Sequence, residues 1–344
     1  MNPVICAIAR TPVGRFNGVF TPLTAMDLGG IAMRGALDRA GLPPEDLDEV
    51  IYGHVIQAGQ GQITARQAAR KADVPMTVPA TTINKVCLSG MTSIADAARR
   101  IRLGEARFIL TGGMESMTNA PHVLLGARQG YRLGDATLVD TLNHDGLWCA
   151  FDHCIMGEST DLKNQVLGIG RSEQDEWAAQ SHERAIAATK EGRFDDELVP
   201  ASVPQRRGDP IVVESDEGMR PGTTVESLGK LRAAFSKDGT ITAGNASQIS
   251  DGAAAVIVAD RAAAEAAGLP VVAEIVSYGQ TAGPDATLHE RPAEALDKAL
   301  ATAGLSRSEL DLVEINEAFA AVALWSAKML EIDHSKVNVN GGAV

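Results

Sequence analysis

The chain has 344 residues, of which 45% are hydrophobic, 4% aromatic and 22% charged; this excludes a mini-protein, a collagen and a disordered tail, and allows a core divided among two or three lobes. Thirty-one basic against 44 acidic residues leave a formal charge of −13, a field that repels nucleic acid and anionic lipid, so an anionic ligand needs a local basic patch. Four cysteines in so long a chain make no disulfide framework and point to a reducing compartment.

The N-terminus, Met-Asn-Pro-Val-Ile-Cys, lacks the basic and apolar regions of a secretory signal. No apolar run approaches the ~18 residues of a membrane span, so the expected location is the cytoplasm, with no membrane or nucleic-acid partner. Val4–Ala9 reads as a strand. Thr24–Ala40 reads as a helix with Leu28, Ile31, Ala32 and Ala36 on one face, a capping-box start at Thr24 and Asp27, and a stop at Gly41. Asp48–Tyr52 and Phe108–Thr111 read as strands, and Gly112–Met117 as a tight turn ending the second of them. Short β-branched runs alternating with Ala-rich helices predict an α/β fold with a largely buried sheet.

An internal repeat organises the chain. Ala36-Leu37, Ala40-Gly41-Leu42, Leu47-Asp48 and Val50 recur as Ala299-Leu300, Ala303-Gly304-Leu305, Leu310-Asp311 and Val313 at a constant offset of 263. A helix, a glycine stop and entry into a strand therefore occur twice, as duplicated half-domains would require. The divisions expected are a first half over 1–118, an inserted lobe over 119–242 and a second half over 243–344. The inserted lobe holds Trp148, Trp177, a charged helix opening at Ser172 and the polar stretch Pro204–Gly222, and a segment of that length is expected to carry function.

The sharpest candidate site is Asn84-Lys85-Val86-Cys87-Leu88-Ser89-Gly90-Met91. Thr81–Val86 reads as a strand, and Met91, Ile94, Ala95, Ala98 and Ile101 mark an amphipathic helix, so Cys87 falls on a strand-to-helix elbow. Helix N–H groups there favour a thiolate nucleophile, and Gly90 would allow the helix to approach the strand closely. Cys6, in a buried strand, is expected to be inert. Asn316-Glu317-Ala318-Phe319 follows a predicted strand Leu310–Ile315. Asn316 either donates to a developing oxyanion or caps a helix Glu317–Met329. Thr242–Ser247 and Ser250–Ala254 permit close approach to an extended ligand or form a plain turn into a strand. Arg206, Arg207, Arg220, Lys230 and Arg232 form either a solvated face or a phosphate site. Cys149, His153 and Cys154 lack a second ligand pair, so no metal site is expected; no Walker loop or dinucleotide fingerprint is present.

Taken together, Asn84–Gly90, Gly112–Met117, Thr242–Asp251, Asn316–Ala321 and Asn338-Val339-Asn340-Gly341-Gly342-Ala343 resemble the thiolase family, nearest to its biosynthetic, acetyl-CoA-using branch. The resemblance runs from Val4 to Val344. It implies two βαβαβαββ halves in an α-β-α-β-α layered sandwich with an inserted, CoA-binding loop lobe. It also implies a Claisen condensation of two acetyl-CoA to acetoacetyl-CoA and CoA, or the reverse thiolysis, through an acyl group on Cys87, with Asn316 holding a water for an oxyanion. Coenzyme A and acyl-CoA are then substrates, and no permanently bound cofactor is expected. By the same match Arg220 and Ser227 hold the adenine nucleotide, Phe235, Ala243, Ser247, Ala318 and Phe319 line the pantetheine tunnel, and Met156 meets the acyl end. Gly59–Gln62 and Ala65–Ala69 resemble the segment beside the family's subunit contacts, implying a homodimer or homotetramer.

Three departures from the family pattern stand out. The Gly-His-Pro segment and late Cys that supply the family's acid and base would follow Ala343, so a chain ending at Val344 is expected to be poorly stable and inactive; a non-catalytic CoA-binding or scaffold protein is the alternative. Ile155 precedes Met156-Gly157 where biosynthetic members often carry His, and Thr287–Pro292 replaces a Met-Gly stretch at the pocket floor.

Overall fold

The computed structural model describes residues 1–344, which divide into two compact units: Met1–Gly146 with Asp196–Gly218 and Ile249–Ile275, and Leu147–Asp195 with Met219–Gln248 and Val276–Val344.

The first unit is built on a mixed sheet. Its strands are β1 (Pro3–Arg10), β2 (Glu49–Gly53), β3 (Ala80–Ile83), β4 (Phe108–Ser116), β5 (Ser250–Asp260) and β6 (Ala273–Glu274), in the order β6-β1-β5-β4-β2-β3, with Gly14–Arg15 also pairing to β5. β5 runs antiparallel to β1 and β4, whereas β2 is parallel to β3 and β4. Alternate residues of β2 serve opposite faces, as a pleated strand requires. Val50 and Tyr52 pack with α1 (Ala25–Ala40) and α2 (Thr64–Lys71), and Ile51 packs with Ala97 and Ile101 of α3 (Ser89–Arg102). A sheet covered on both faces explains the nearly continuous apolar runs in its strands. The segment Asp196–Gly218 is tied to this unit by Arg10, whose guanidinium meets Glu197 at 2.6 Å and Asp216 at 2.7 Å.

α1 starts and stops as its sequence predicts. Thr24 and Asp27 close a reciprocal capping box, and Gly41 takes the left-handed conformation at φ 67. By contrast, Gly112–Ser116 is no turn. β4 continues straight through both glycines, and the chain turns only afterwards, where the Asn119 N–H donates to the Ser116 carbonyl. Glycine is needed at 112 because φ is 138 and a side chain would run into the Ala254 carbonyl of the neighbouring strand.

The second unit holds α4 (Met156–Leu167), α5 (Arg171–Lys190), α6 (Arg291–Ala303) and α7 (Ala320–Leu330). Its core joins Trp177 and Ala178 of α5 to Ala293, Val313, Ile315, Ala323, Ala327 and Val337. α5 starts at Arg171 after Gly170 with no side-chain cap, so Ser172 lies inside the helix rather than opening it. The predicted strand Leu310–Ile315 does not form, because its only ladder pairing is a single bridge from Val313 to Val337.

Each unit carries one copy of the repeat. Gly41 and Gly304 both stop a helix in the left-handed region, at φ 67 and 70. Single 3-10 turns follow at Pro44–Asp46 and Arg307–Glu309, and the Val50 and Val313 N–H groups donate to Pro79 and Lys336. That last register, an offset of 257, sets Val344 opposite Cys87.

Candidate active site

Cys87 lies between the end of β3 at Ile83 and the start of α3 at Ser89. The connection is held by its own polar groups. The Val86 N–H donates to Asn84 Oδ1 at 2.9 Å, the Lys85 N–H to Ser89 Oγ at 2.8 Å, and Ser89 Oγ–H to the Val86 carbonyl at 2.6 Å. These bonds force Val86 to φ 49, a left-handed conformation that a β-branched residue adopts only under strain. The turn leaves Cys87 exposed. Leu88, the residue before the helix, supplies no side-chain cap; the Ser89 N–H donates to the Val86 carbonyl at 3.0 Å, and the Gly90 and Met91 N–H groups of α3 remain open. Close packing against the sheet comes from Gly53, where a Cβ would lie 2.7 Å from Ser89 Cβ; at Gly90 the nearest atom would be 3.7 Å away, so the tight approach expected there belongs to Gly53. Met91 is 62% exposed and stands off the core face to which its spacing assigned it.

The elbow does not by itself make a thiolate. The protein wall behind the Cys87 thiol raises its pKa above the ordinary value of 9.0, a backbone N–H pulls it down, and Glu115 pushes it up. Glu115 is a site residue that sequence reading treated only as part of a turn. Its carboxylate accepts from the Val55 N–H at 2.9 Å and lies 3.2 Å from Nε2 of buried His54, whose Nδ1 meets Thr64 Oγ1 at 2.9 Å. The only sequence signal was the position of both residues at the ends of adjacent strands. Cys6 is fully buried, and burial raises its thiol pKa to about 11, as an inert strand cysteine should behave.

In the second unit Asn316 is exposed and its amide makes no hydrogen bond. It is not a helix cap: α7 begins at Ala320, with Phe319 in the capping position. Its neighbours hold it in place. The Ile315 N–H donates to Asn338 Oδ1 at 2.8 Å, and Asn338 Nδ2 donates to the Ile315 carbonyl at 2.9 Å. Glu317 is buried and accepts from Trp177 Nε1 at 2.8 Å, Ser181 Oγ at 2.7 Å, Asn338 Nδ2 at 2.8 Å and the Val344 N–H at 3.3 Å. Sequence reading quoted Glu317 and Asn338 but gave them no role, and missed Trp177 and Ser181, which lie 140 and 136 positions from Glu317.

Met156, Phe235, Ala318 and Phe319 come together around Ile241 and Val322, joined by Leu288. The Phe235 and Phe319 rings meet edge to face with centroids 6.1 Å apart, and Gly157 is required because any side chain there would enter the Phe235 ring. Ala243 and Ser247 are exposed on one loop, and the Ser247 N–H donates to the Ala318 carbonyl at 3.1 Å. The same loop is braced by Asn245, whose amide donates to Asp175 at 2.9 Å.

Arg220 lines a cavity of about 740 Å³ against α5, with His182, Glu183, Ile186 and Lys190. Ser227 does not line it. Its hydroxyl is engaged in a reciprocal capping box with Thr224. Of the basic residues, Arg206 and Arg207 belong to the first unit, and in the second Lys230 pairs with Glu226 at 2.8 Å.

The family "Thiolase, N-terminal domain" matches residues 3–262 and "Thiolase, C-terminal domain" matches 269–344. The chain is 55% identical over 341 residues to a probable acetyl-CoA acetyltransferase of Mycolicibacterium smegmatis, covering 99% of this chain and 88% of that protein. It is 49% identical to an acetyl-CoA acetyltransferase of Pseudomonas aeruginosa and 48% identical to one of Cupriavidus necator, in each case over 99% of this chain and 87% of the relative. With both family domains matched in order along an α/β chain whose two units repeat one helix–turn register, the chain belongs to the thiolase family and has its fold.

Proposed function

We propose that this chain is an acetyl-CoA C-acetyltransferase, an acyltransferase joining two acetyl-CoA into acetoacetyl-CoA and CoA or running the reverse thiolysis. The Cys87 thiolate attacks the thioester carbonyl of one acetyl-CoA and the CoA thiolate departs, leaving an acetyl group on sulfur. The α-carbon of a second acetyl-CoA loses a proton, which in the net reaction balances the one taken up by the departed CoA thiolate. The resulting carbanion attacks the acyl-sulfur carbonyl, and Cys87 leaves as thiolate. The open N–H groups at the start of α3 suit an oxyanion formed next to Cys87, and Asn316, with its amide uncommitted, suits a second one.

The observation that carries this reading is the exposed Cys87 on a strained turn at an uncapped helix start. The apolar group of Met156, Phe235, Leu288 and Phe319 fits a short acyl chain and a pantetheine arm. Arg220 and Lys190 line the α5 cavity together with Glu183 and Glu191, and in this reading the two cations are what it offers a nucleotide phosphate. In this reading Ala243, Ser247 and Ala318 flank the arm and Ser227 approaches the nucleotide through its helix turn. Coenzyme A enters only as substrate. No helix is long and apolar enough to cross a membrane, and a cytoplasmic homodimer or homotetramer completes the proposal.

The test is acylation itself. Incubation with acetyl-CoA followed by peptide mapping is expected to place one acetyl group on Cys87, and Cys87→Ser to abolish both this and acetoacetyl-CoA thiolysis. Acetylation of Cys149 or Cys154 in its place would refute the assignment.

A further inference from the structure

Two thiols of the second unit face one another. Trp148–Cys149 and Cys154–Ile155 form a two-stranded antiparallel ribbon in which Cys149 lies directly opposite Cys154. Directly opposed residues project from the same face, with Cα atoms about 4.5–5.5 Å apart, inside the ~4.4–6.8 Å that a disulfide bridges. Both thiols are free and partly accessible, and the intervening residues 150–153 are exposed, Phe151 by 87%. The turn is already fixed, with His153 at φ 53 and its N–H donating to the Cys149 carbonyl at 2.9 Å. Closing a sulfur–sulfur bond therefore needs side-chain rotation rather than a new backbone path.

The two thiols differ. The Asp152 N–H donates to Cys149 Sγ at 3.3 Å, a contact that favours an anionic sulfur. At Cys154 burial and then the negative charges of Glu158 and Asp152 oppose an anion, against the Ser159 backbone N–H, which favours one. We propose that Cys149 and Cys154 form a thiol–disulfide exchange site for small disulfides of the oxidised-glutathione class. The Cys149 thiolate attacks one sulfur of the small disulfide, its sulfur–sulfur bond breaks, and one thiolate leaves and takes up a proton. Cys154 then gives its proton to solvent and attacks the Cys149 sulfur, expelling the second small thiol. Two protein thiols are oxidised to one disulfide, and one small disulfide is reduced to two thiols. The bond would staple the ribbon that leads through Ile155 into the first turn of α4 at Met156.

The experiment uses the full chain carrying Cys87→Ala, so that neither acylation nor oxidation of Cys87 enters the readout. Trypsin cuts after Arg132 and Lys163 and leaves both cysteines on one peptide. After treatment of the native protein with oxidised glutathione, that peptide is expected to be lighter by two hydrogens, free of glutathione and restored by dithiothreitol. Adding Cys154→Ser should trap one glutathione on Cys149, whereas Cys149→Ser should react at Cys154 at least about tenfold more slowly. Glutathione on both cysteines with no internal bond would overturn the proposal. So would a native protein that stays reduced while the unfolded chain oxidises, or equal rates in the two single-cysteine variants.

Discussion

The indole N–H of Trp177 donates to the carboxylate of Glu317 at 2.8 Å, in full burial. Through it α5 holds the residue next to Asn316, and three further donors converge on the same carboxylate. A buried charge is tolerated only where donors replace its water. Trp177→Phe keeps the ring and removes one donor, and is expected to cost about 1–2 kcal/mol in chemical denaturation. Glu317→Ala orphans four donors and should cost about 2–4 kcal/mol. Equal stability of Glu317→Ala and the parent chain would show that the cluster is not a fastening.

Cys87 offers a kinetic prediction. Because its thiol is held above 9.0, alkylation by iodoacetamide should rise about tenfold per pH unit from 7 to 9 without a plateau. Glu115→Gln keeps the size and removes a charge that disfavours the thiolate. The rate at pH 8 should then increase about two- to fivefold. A plateau near pH 7 would mean that the helix start overcomes the protein wall.

His289 makes stability depend on acid. It is fully buried, with Nε2 at 2.8 Å from Asn164 Oδ1 and Nδ1 without a partner. Burial lowers its pKa from 6.5 to about 4, with Glu290 and Asp285 pulling upward and Lys163 downward. The fold binds the neutral ring while the unfolded chain binds the proton below 6.5. This contribution is therefore intact above pH 6.5 and lost progressively as the pH falls towards 4, by about 3 kcal/mol in all. Urea midpoints measured across that range should fall, and His289→Gln should flatten the decline. A slope unchanged by the substitution would assign the acid sensitivity elsewhere.

Gly157 tests the apolar group. A methyl there enters the Phe235 ring, so Gly157→Ala must displace Phe235 from its edge-to-face contact with Phe319. The expected cost is about 1–3 kcal/mol in stability, with weaker binding of CoA detected by calorimetry. Unaltered CoA binding in a folded Gly157→Ala variant would separate this group from the ligand.

What the sequence by itself determined were features written in neighbouring residues. Thr24 and Asp27 cap α1, glycines at 41 and 304 stop two helices at the same offset, and Asn84 to Ser89 bond to one another to raise Cys87 on its turn. These depend on local hydrogen bonds and dihedral limits, which travel with the sequence. The tertiary structure decided the rest. Gly112–Ser116 became strand because β5 supplies a ladder partner that overrides the turn preference of two glycines, and Leu310–Ile315 stayed irregular because only Val313 found one. Pairing across a sheet is long-range, and local composition does not report it. The same reason hid the burial of Glu317 among donors from α5, the pressure of Glu115 on Cys87, and the opposition of Cys149 to Cys154: in each, the chemistry of one residue is set by another that only the fold brings near.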